Sequence, residues 1–401
     1  MEDEYWSSRN FFWNNLIVTL DKLDIKYDVL ENIALKDRLD PIFKNIDRHI
    51  YCDLPKNFVS DYLSDFYRAS FSRNEYHGQE ILYQELLKYC DFSSYDLIIC
   101  SSPDPFFYRF HPATLVLSNE VGIFSRPPFP FTQYFDPEGF FSNSLSGKIS
   151  KLSASIVFDC FKGWPDQLGV TISENVKARF NFQKYHIDGK GKKKILFPGF
   201  NPSGIHMRYE TRFKGELECL TNLHQSTSNT HHIFYTARPN SAFSSEIANY
   251  INRYPNDITL IDISSLPHEQ STFILGEIDA VYTVNSTLGY QAALFGKDLY
   301  VPKESSLKFI ATHLIDEEEN SVTPFPSLHL SSRGSILSWL LSNYFLTPDH
   351  LSDEFFLLSF LEGLINYRKK DFTEYFSHNN SHTGLAICER VYLEVFDYKN
   401  F

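Results

Sequence analysis

No stretch of this chain reaches the roughly 18–20 consecutive apolar residues that a membrane-crossing helix needs. The start, MEDEYWSSRN, has neither the basic opening nor the apolar run of a secretory signal, so the expectation is a protein working in the cytoplasm. Cysteine is sparse: Cys52, Cys90, Cys100, Cys160, Cys219 and Cys388 form no CxxC and no short Cys/His ligand spacing. That excludes a zinc cluster or a disulfide framework and leaves reduced core thiols. Positive charge is also short, with 37 Lys and Arg against 50 Asp and Glu and a net charge of −13, which argues against a general nucleic-acid binder. GxxxxGKS, GxSxG and a GxGxxG after the first strand are all missing, which removes the P-loop, the nucleophile elbow and the dinucleotide fingerprint.

What remains describes a two-core α/β chain. Its 401 residues exceed what one core normally serves, and 43% apolar content is globular. With 2 Met, its interior filling falls to 37 Phe and 24 Tyr. In the first hundred residues, NNLIVTL (14–20) and YDLIICSS (95–102) read as strands, and YDVL (27–30) and HIYCDL (49–54) as weaker ones. HGQEILYQELLKYCDF (77–92) spaces its apolar residues as an amphipathic helix feeding the second of these. A parallel, doubly wound sheet follows, with residues 101–112 at its carboxyl edge. Prolines 127, 128, 130 and 137 make 117–140 a shaped loop. The lysine- and glycine-rich 188–194 marks the domain boundary, and beyond it strands and helices alternate up to residue 301. Helices are expected over 334–344, 351–367 and 384–395.

The densest signal is VYTVNSTLGYQAALFGKDLYVP (281–302): buried strand, polar small-residue turn, helix, second buried strand. Asn285, Ser286 and Thr287 are capping residues, and Gly296 stops the helix. The free N–H groups of such a first turn, backed by the macrodipole, make an anion site at the carboxyl edge of a parallel sheet. An ordinary, well-capped crossover has the same spacing.

Thr283, Val284, Asn285, Ser286, Thr287, Gly289, Ala293, Gly296 and Lys297 resemble the donor-binding strand-turn-helix of capsule and lipopolysaccharide polysaccharide glycosyltransferases. ILFPGFNPSG (195–204) and HHIFYTARPN (231–240) sit where such enzymes have a strand opening the second domain and a strand ending in His-Pro, here Arg238-Pro239. LSNEVGIFSRPPFPFTQYFDPEGF (117–140) resembles the Glu-x-Gly, Arg, Phe-Pro-x-Thr and Asp-Pro-x-Gly pattern of bacterial β-Kdo transferases that use CMP-Kdo. The resemblance covers about the middle half of the chain. It implies a GT-B fold, two Rossmann-like doubly wound domains facing a cleft: 1–190 on the acceptor side, 191–345 binding the nucleotide sugar, and helices 346–401 crossing back. It further implies transfer of Kdo from CMP-Kdo to a saccharide acceptor with retention, without a cofactor. No Asp-x-Asp motif is evident, so metal-independent donor binding is expected. The partners implied are the CMP-Kdo donor and an oligosaccharide or polysaccharide acceptor, with peripheral association to an assembly complex at the inner membrane. A CMP-sialic acid transferase and a non-catalytic carbohydrate- or nucleotide-binding module are the alternatives.

Glu120, at a strand end before Val121-Gly122, is the leading catalytic carboxylate, since glycosyl transfer needs a base, nucleophile or charge stabiliser near an oxocarbenium-like centre. Capping the following turn or pairing with Arg126 is its plain alternative. Asp104 and Asp136 are reserve carboxylates in turn-forming contexts, and His268 and His111 are possible acid, base or phosphate donors. Donor contacts fall to Asn285, Ser286, Thr287, Gly289, Pro198, Gly199 and Arg238. Arg126 and His111 are candidates for the acceptor or the donor's carboxylate, the guanidinium fork suiting that group. No carboxylate lies near Asn201–Gly204 to serve as the expected nucleophile.

Overall fold

A computed structural model describes residues 2–32, 49–53, 79–100, 105–125, 129–139, 144–146, 187–200, 210–237, 244–264, 266, 271–325, 330–367, 386, 387, 390 and 391. The chain forms two compact units, residues 1–145 with 340–395, and residues 146–339 with 396–401. Both are α/β.

In the first unit, helix α1 (Glu2–Lys22) precedes a parallel pair, β1 (Val29–Asn32) and β2 (His49–Cys52). NNLIVTL is therefore helical rather than a strand: Phe12, Leu16 and Thr19 are buried at helical spacing, while Phe11 and Val18 face outward. Helix α2 (Gln79–Leu87) leads to β3 (Leu97–Cys100), and helix α3 (Pro105–Phe110) to β4 (Leu115–Val121) and β5 (Gln133–Asp136). β4 lies between β3, its parallel neighbour, and β5, its antiparallel one. So the block 117–140 is not all loop. Its described prolines, Pro130 and Pro137, fall outside the two ladders, where no N–H is required.

The second unit has a tight turn at 189–191, with Lys190 and Gly191 at φ 51° and 81°. The turn leads into β6 (Lys193–Pro198), after which come α4 (Glu216–Thr227), β7 (His231–Thr236), α5 (Ser245–Arg253), β8 (Ile258–Ile261), β9 (Ala280–Tyr282), α6 (Thr287–Leu294), β10 (Asp298–Pro302), β11 (His313–Asp316), β12 (Ser321–Pro324) and α7 (Leu330–Trp339). The sheet order β8-β7-β6-β9-β10-β11-β12 is 3-2-1-4-5-6-7 by sequence, with only the last pair antiparallel. This is the doubly wound Rossmann arrangement, whose order reverses between β6 and β9. On one face Tyr235, Phe197 and Tyr282 stack ring against ring at 5.7 and 5.1 Å. That face packs on Cys219, Leu220 and Leu223 of α4 and Ile247 and Ile251 of α5. After β10, β11 and β12 pair antiparallel at the edge of the sheet.

The chain then returns to the first unit. A π-helical turn (Leu340–Tyr344) brings Leu346 beside β5, where Gln133 and Leu346 exchange N–H···O bonds of 3.0 and 2.7 Å. α8 (Pro348–Ser352) and α9 (Glu354–Tyr367) follow; α8 carries a capping box on Thr347 and His350.

Candidate functional site

The reversal between β6 and β9 is where an open α/β sheet leaves a crevice at its carboxyl edge. Leu196 is paired with Val281, so continuing both strands brings Pro198 and Gly199 to the same edge as Thr283, Asn285 and Ser286. The turn after β9 is built by its own small polar side chains. The Ser286 N–H bonds Thr283 Oγ1 at 3.1 Å, and Ser286, extended at φ −64° and ψ 146°, caps α6 by accepting from the Leu288 N–H at 3.2 Å. Asn285, Ser286 and Thr287 are half-buried at the start of the eight-residue α6. Gly296, at φ 69°, ends the helix as its composition leads one to expect.

Two further groups hold this edge, and sequence reasoning found neither. Ser305 donates its hydroxyl to the Val284 carbonyl, and Ser306 gives its N–H and hydroxyl to the buried Glu210 carboxylate at 3.0 and 2.7 Å. The Glu216 carboxylate, in the first turn of α4, accepts from the Phe200 N–H at 3.2 Å and the Tyr235 hydroxyl at 2.8 Å, tying the loop after β6 to β7. Burial raises the Glu216 carboxyl above its usual range, partly opposed by those two donors. An acidic residue in a helix's first turn is the only local signal for Glu216; Glu210 has none, since its partner lies 96 residues away. Gly289 is placed by packing: a Cβ there would lie 2.6 Å from Leu307 Cδ1 and 3.1 Å from Thr283 Cγ2. Gly199 gives its N–H to the Thr236 carbonyl at 2.7 Å.

In the first unit, Glu120 lies at the carboxyl end of β4, opposite Tyr134. The neighbouring Gly122 allows the close return of the chain, because a Cβ there would sit 2.6 Å from Thr132 Oγ1. The Val121 N–H bonds Glu120 Oε1 at 2.8 Å. Its side chain is exposed, yet desolvation by the protein around it raises its carboxyl above the usual range, with that N–H and the Arg9 charge pulling the other way.

Asp136, 0% exposed at the end of β5, accepts from the Glu138, Gly139 and Leu145 N–H groups at 2.7, 3.0 and 2.7 Å and from the Tyr344 hydroxyl at 2.7 Å. It knots the turn after β5 to the returning C-terminal segment. Burial pushes its carboxyl up to about 7 against the pull of these donors.

His111 is corrected in position. Helix α3 carries the chain back to the amino edge of the sheet, where the Leu115 N–H bonds the Asp96 carbonyl at 3.0 Å. His111 is buried there among Tyr83, Phe92 and Phe107, 2.6 Å from the Tyr83 hydroxyl. It therefore stands at the opposite end of β4 from Glu120. Asp104, Arg126, Arg238 and His268 lie outside the described residues. Among the described residues, no group of three or more His, Cys, Asp or Glu is arranged to hold a metal ion. No described helix is long and apolar enough to cross a membrane.

No protein-family model and no curated protein matches the chain. Among solved structures it is similar to KpsC of Thermosulfurimonas dismutans, described as a beta Kdo 2,7 transferase, with 14% identity and a TM-score of 0.45 over 83% of this chain and 99% of that one. A second structure from that organism, KpsC, beta Kdo 2,4 transferase, shares 10% identity with a TM-score of 0.31 over 60% and 86%. A putative UDP-N-acetylglucosamine 2-epimerase from Listeria monocytogenes shares 10% with a TM-score of 0.30 over 96% and 92%.

Proposed function

We propose that this protein is a GT-B glycosyltransferase of bacterial surface polysaccharide synthesis that moves Kdo from CMP-Kdo to a saccharide acceptor with retention. The observation that carries this reading is the strand-turn-helix of 283–297: it bears the donor-site resemblance and stands at the reversal point of a 3-2-1-4-5-6 sheet, beside Pro198 and Gly199. The N–H groups of α6 face the CMP phosphate and stabilise the charge that gathers there as the C–O bond to Kdo breaks. The Asn285 and Thr287 side chains add hydrogen bonds to the same group. Glu210 and Glu216 hold the two walls in place through Ser306 and Phe200.

Glu120 is assigned the proton of the acceptor hydroxyl. Its place at the carboxyl end of β4, with the side chain exposed, makes it available for that task. The test of the donor class is thermal stabilisation of the protein by CMP and, more strongly, by CMP-Kdo, with UDP, GDP and NAD weaker. Equal or greater stabilisation by UDP would remove the CMP assignment.

A further inference from the structure

The crevice at the β6–β9 reversal has two flanks, and their hydroxyl groups are used differently. On the β10 flank, Ser305 gives its hydroxyl to the Val284 carbonyl and Ser306 gives its own to Glu210. Those hydroxyls are committed inside the protein. On the β7 flank, Thr236 ends the strand, 1% exposed, with its Oγ1 3.1 Å from Oγ of the half-buried Ser271. Either oxygen can be the donor, so the pair uses one O–H and keeps the other, together with lone pairs on both oxygens. The pair is also fixed from both sides. The Thr236 carbonyl accepts from the Gly199 N–H at 2.7 Å, and Thr272, next to Ser271, gives its hydroxyl to Gln291 of α6. Ser271 opens the 3₁₀ segment Ser271–Glu277, whose Phe273, Ile274 and Leu275 are buried in the core.

We infer that Ser271 binds the ribose diol of the nucleotide whose phosphate meets α6, with Thr236 as the positioning residue that sets the Ser271 hydroxyl. This rests on the nucleotide-sugar reading of the crevice and not on which base the donor carries. β7 and β9 flank β6, so at ordinary strand spacing their ends stand about 10 Å apart. A phosphate held at α6 then leaves room for one furanose ring before β7 is reached. The chemistry agrees with the place. A vicinal diol both gives and accepts hydrogen bonds, as the Ser271–Thr236 pair does, whereas a phosphate or carboxylate asks for donors alone. The β10 flank offers no such pair, because its hydroxyls already serve Val284 and Glu210.

The test is calorimetric titration of the full chain with CMP, UMP, GMP and AMP, and then with the 2′,3′-dideoxy form of whichever binds most tightly. The wild type should favour the ribonucleotide. In Ser271→Ala and in Thr236→Val the ribonucleotide should weaken about 3–10-fold, the range for one hydrogen bond, while the dideoxy nucleotide binds as before. Thr236→Ser, which keeps the hydroxyl, should keep the preference. A merely structural role would weaken both nucleotides alike, and that outcome overturns the proposal, as does a wild type without a preference. Should Thr236→Val not fold, Ser271→Ala at its half-buried position decides alone. Binding of none of the four nucleotides is a different failure: it removes the nucleotide reading of the crevice and this inference with it.

Discussion

The sheet of the second unit and the smaller sheet of the first differ in where their order comes from. In the second, each strand is followed by its own crossover, so β6 to β10 and α4 to α6 arrive in sequence and bury their faces on nearby elements. In the first, the three-stranded sheet closes only when the chain returns from residue 340. Gln133 bonds Leu346, Tyr134 stacks on Tyr344 at 4.9 Å, and the Tyr344 hydroxyl reaches Asp136 across 208 residues. The two units thus place their candidate chemistry on unlike supports: the α6 turn on local capping, Glu120 on a strand held by distant contacts.

The largest effect expected from this contrast is at Asp136. Replacing it by Ala strands four donors in a buried site and should cost about 4 kcal/mol, with the loss confined to the first unit. Hydrogen exchange followed by mass spectrometry can read the two units apart. Equal loss of protection in residues 193–302 would break the comparison, because the second unit would then depend on the same knot.

Next in size is Glu120→Gln, which keeps the size and removes the charge. Transfer from CMP-Kdo should fall at least about 100-fold while CMP affinity, read by calorimetry, stays near wild type. Retention of most of the rate would leave Glu120 a strand-end residue bonded to Val121.

The same contrast explains what could be read in the sequence. β6, β7, β9, β10, α5 and the α6 turn were legible because each carries its signal within a few residues: short apolar runs for the buried strands, Ser286 as cap, Gly296 as stop. NNLIVTL misleads because Leu16, Ile17 and Val18 are consecutive apolar residues, a run that suits a buried strand as well as a helix. What settles it is packing against β5, which no local window contains. β5 was hidden among prolines for the same reason, and Asp136 looked like a turn residue when its partners include Tyr344. At the candidate site, the residues contributing backbone were legible and the carboxylates that brace them were not, since Glu210 and Glu216 act through residues brought near by folding.

A smaller effect tests the local support of the α6 turn. Asn285→Ala with Ser286→Ala should weaken CMP binding by about 1–3 kcal/mol, the range for hydrogen bonds to charged groups, in a protein that remains folded. Gly289→Ala is a sharper probe of packing, since its Cβ would press on Leu307 and should cost about 1–3 kcal/mol of stability in the second unit alone. Unchanged CMP affinity in the folded double variant would leave α6 an ordinary crossover helix.

The smallest effect is one of sign, and it separates the units by pH. In the first unit, burial raises Asp136 from 3.8 to about 7, so the folded state holds a proton that the unfolded chain gives up. Its contribution is fully present below the unfolded value and is lost as pH rises through the folded one. In the second unit, burial lowers His231, His232 and His313 from 6.5, so their contribution is present above 6.5 and is lost as pH falls toward the folded values. Glu216, raised by burial, opposes this trend within the second unit, but it is one group against three histidines. Between about pH 7 and pH 5, hydrogen-exchange protection should therefore rise in the first unit and fall in the second. Asp136→Asn should flatten the first response and leave the second untouched. Two units that shift in the same direction would show that neither Asp136 nor the histidines govern the acid response of the sheet they sit in.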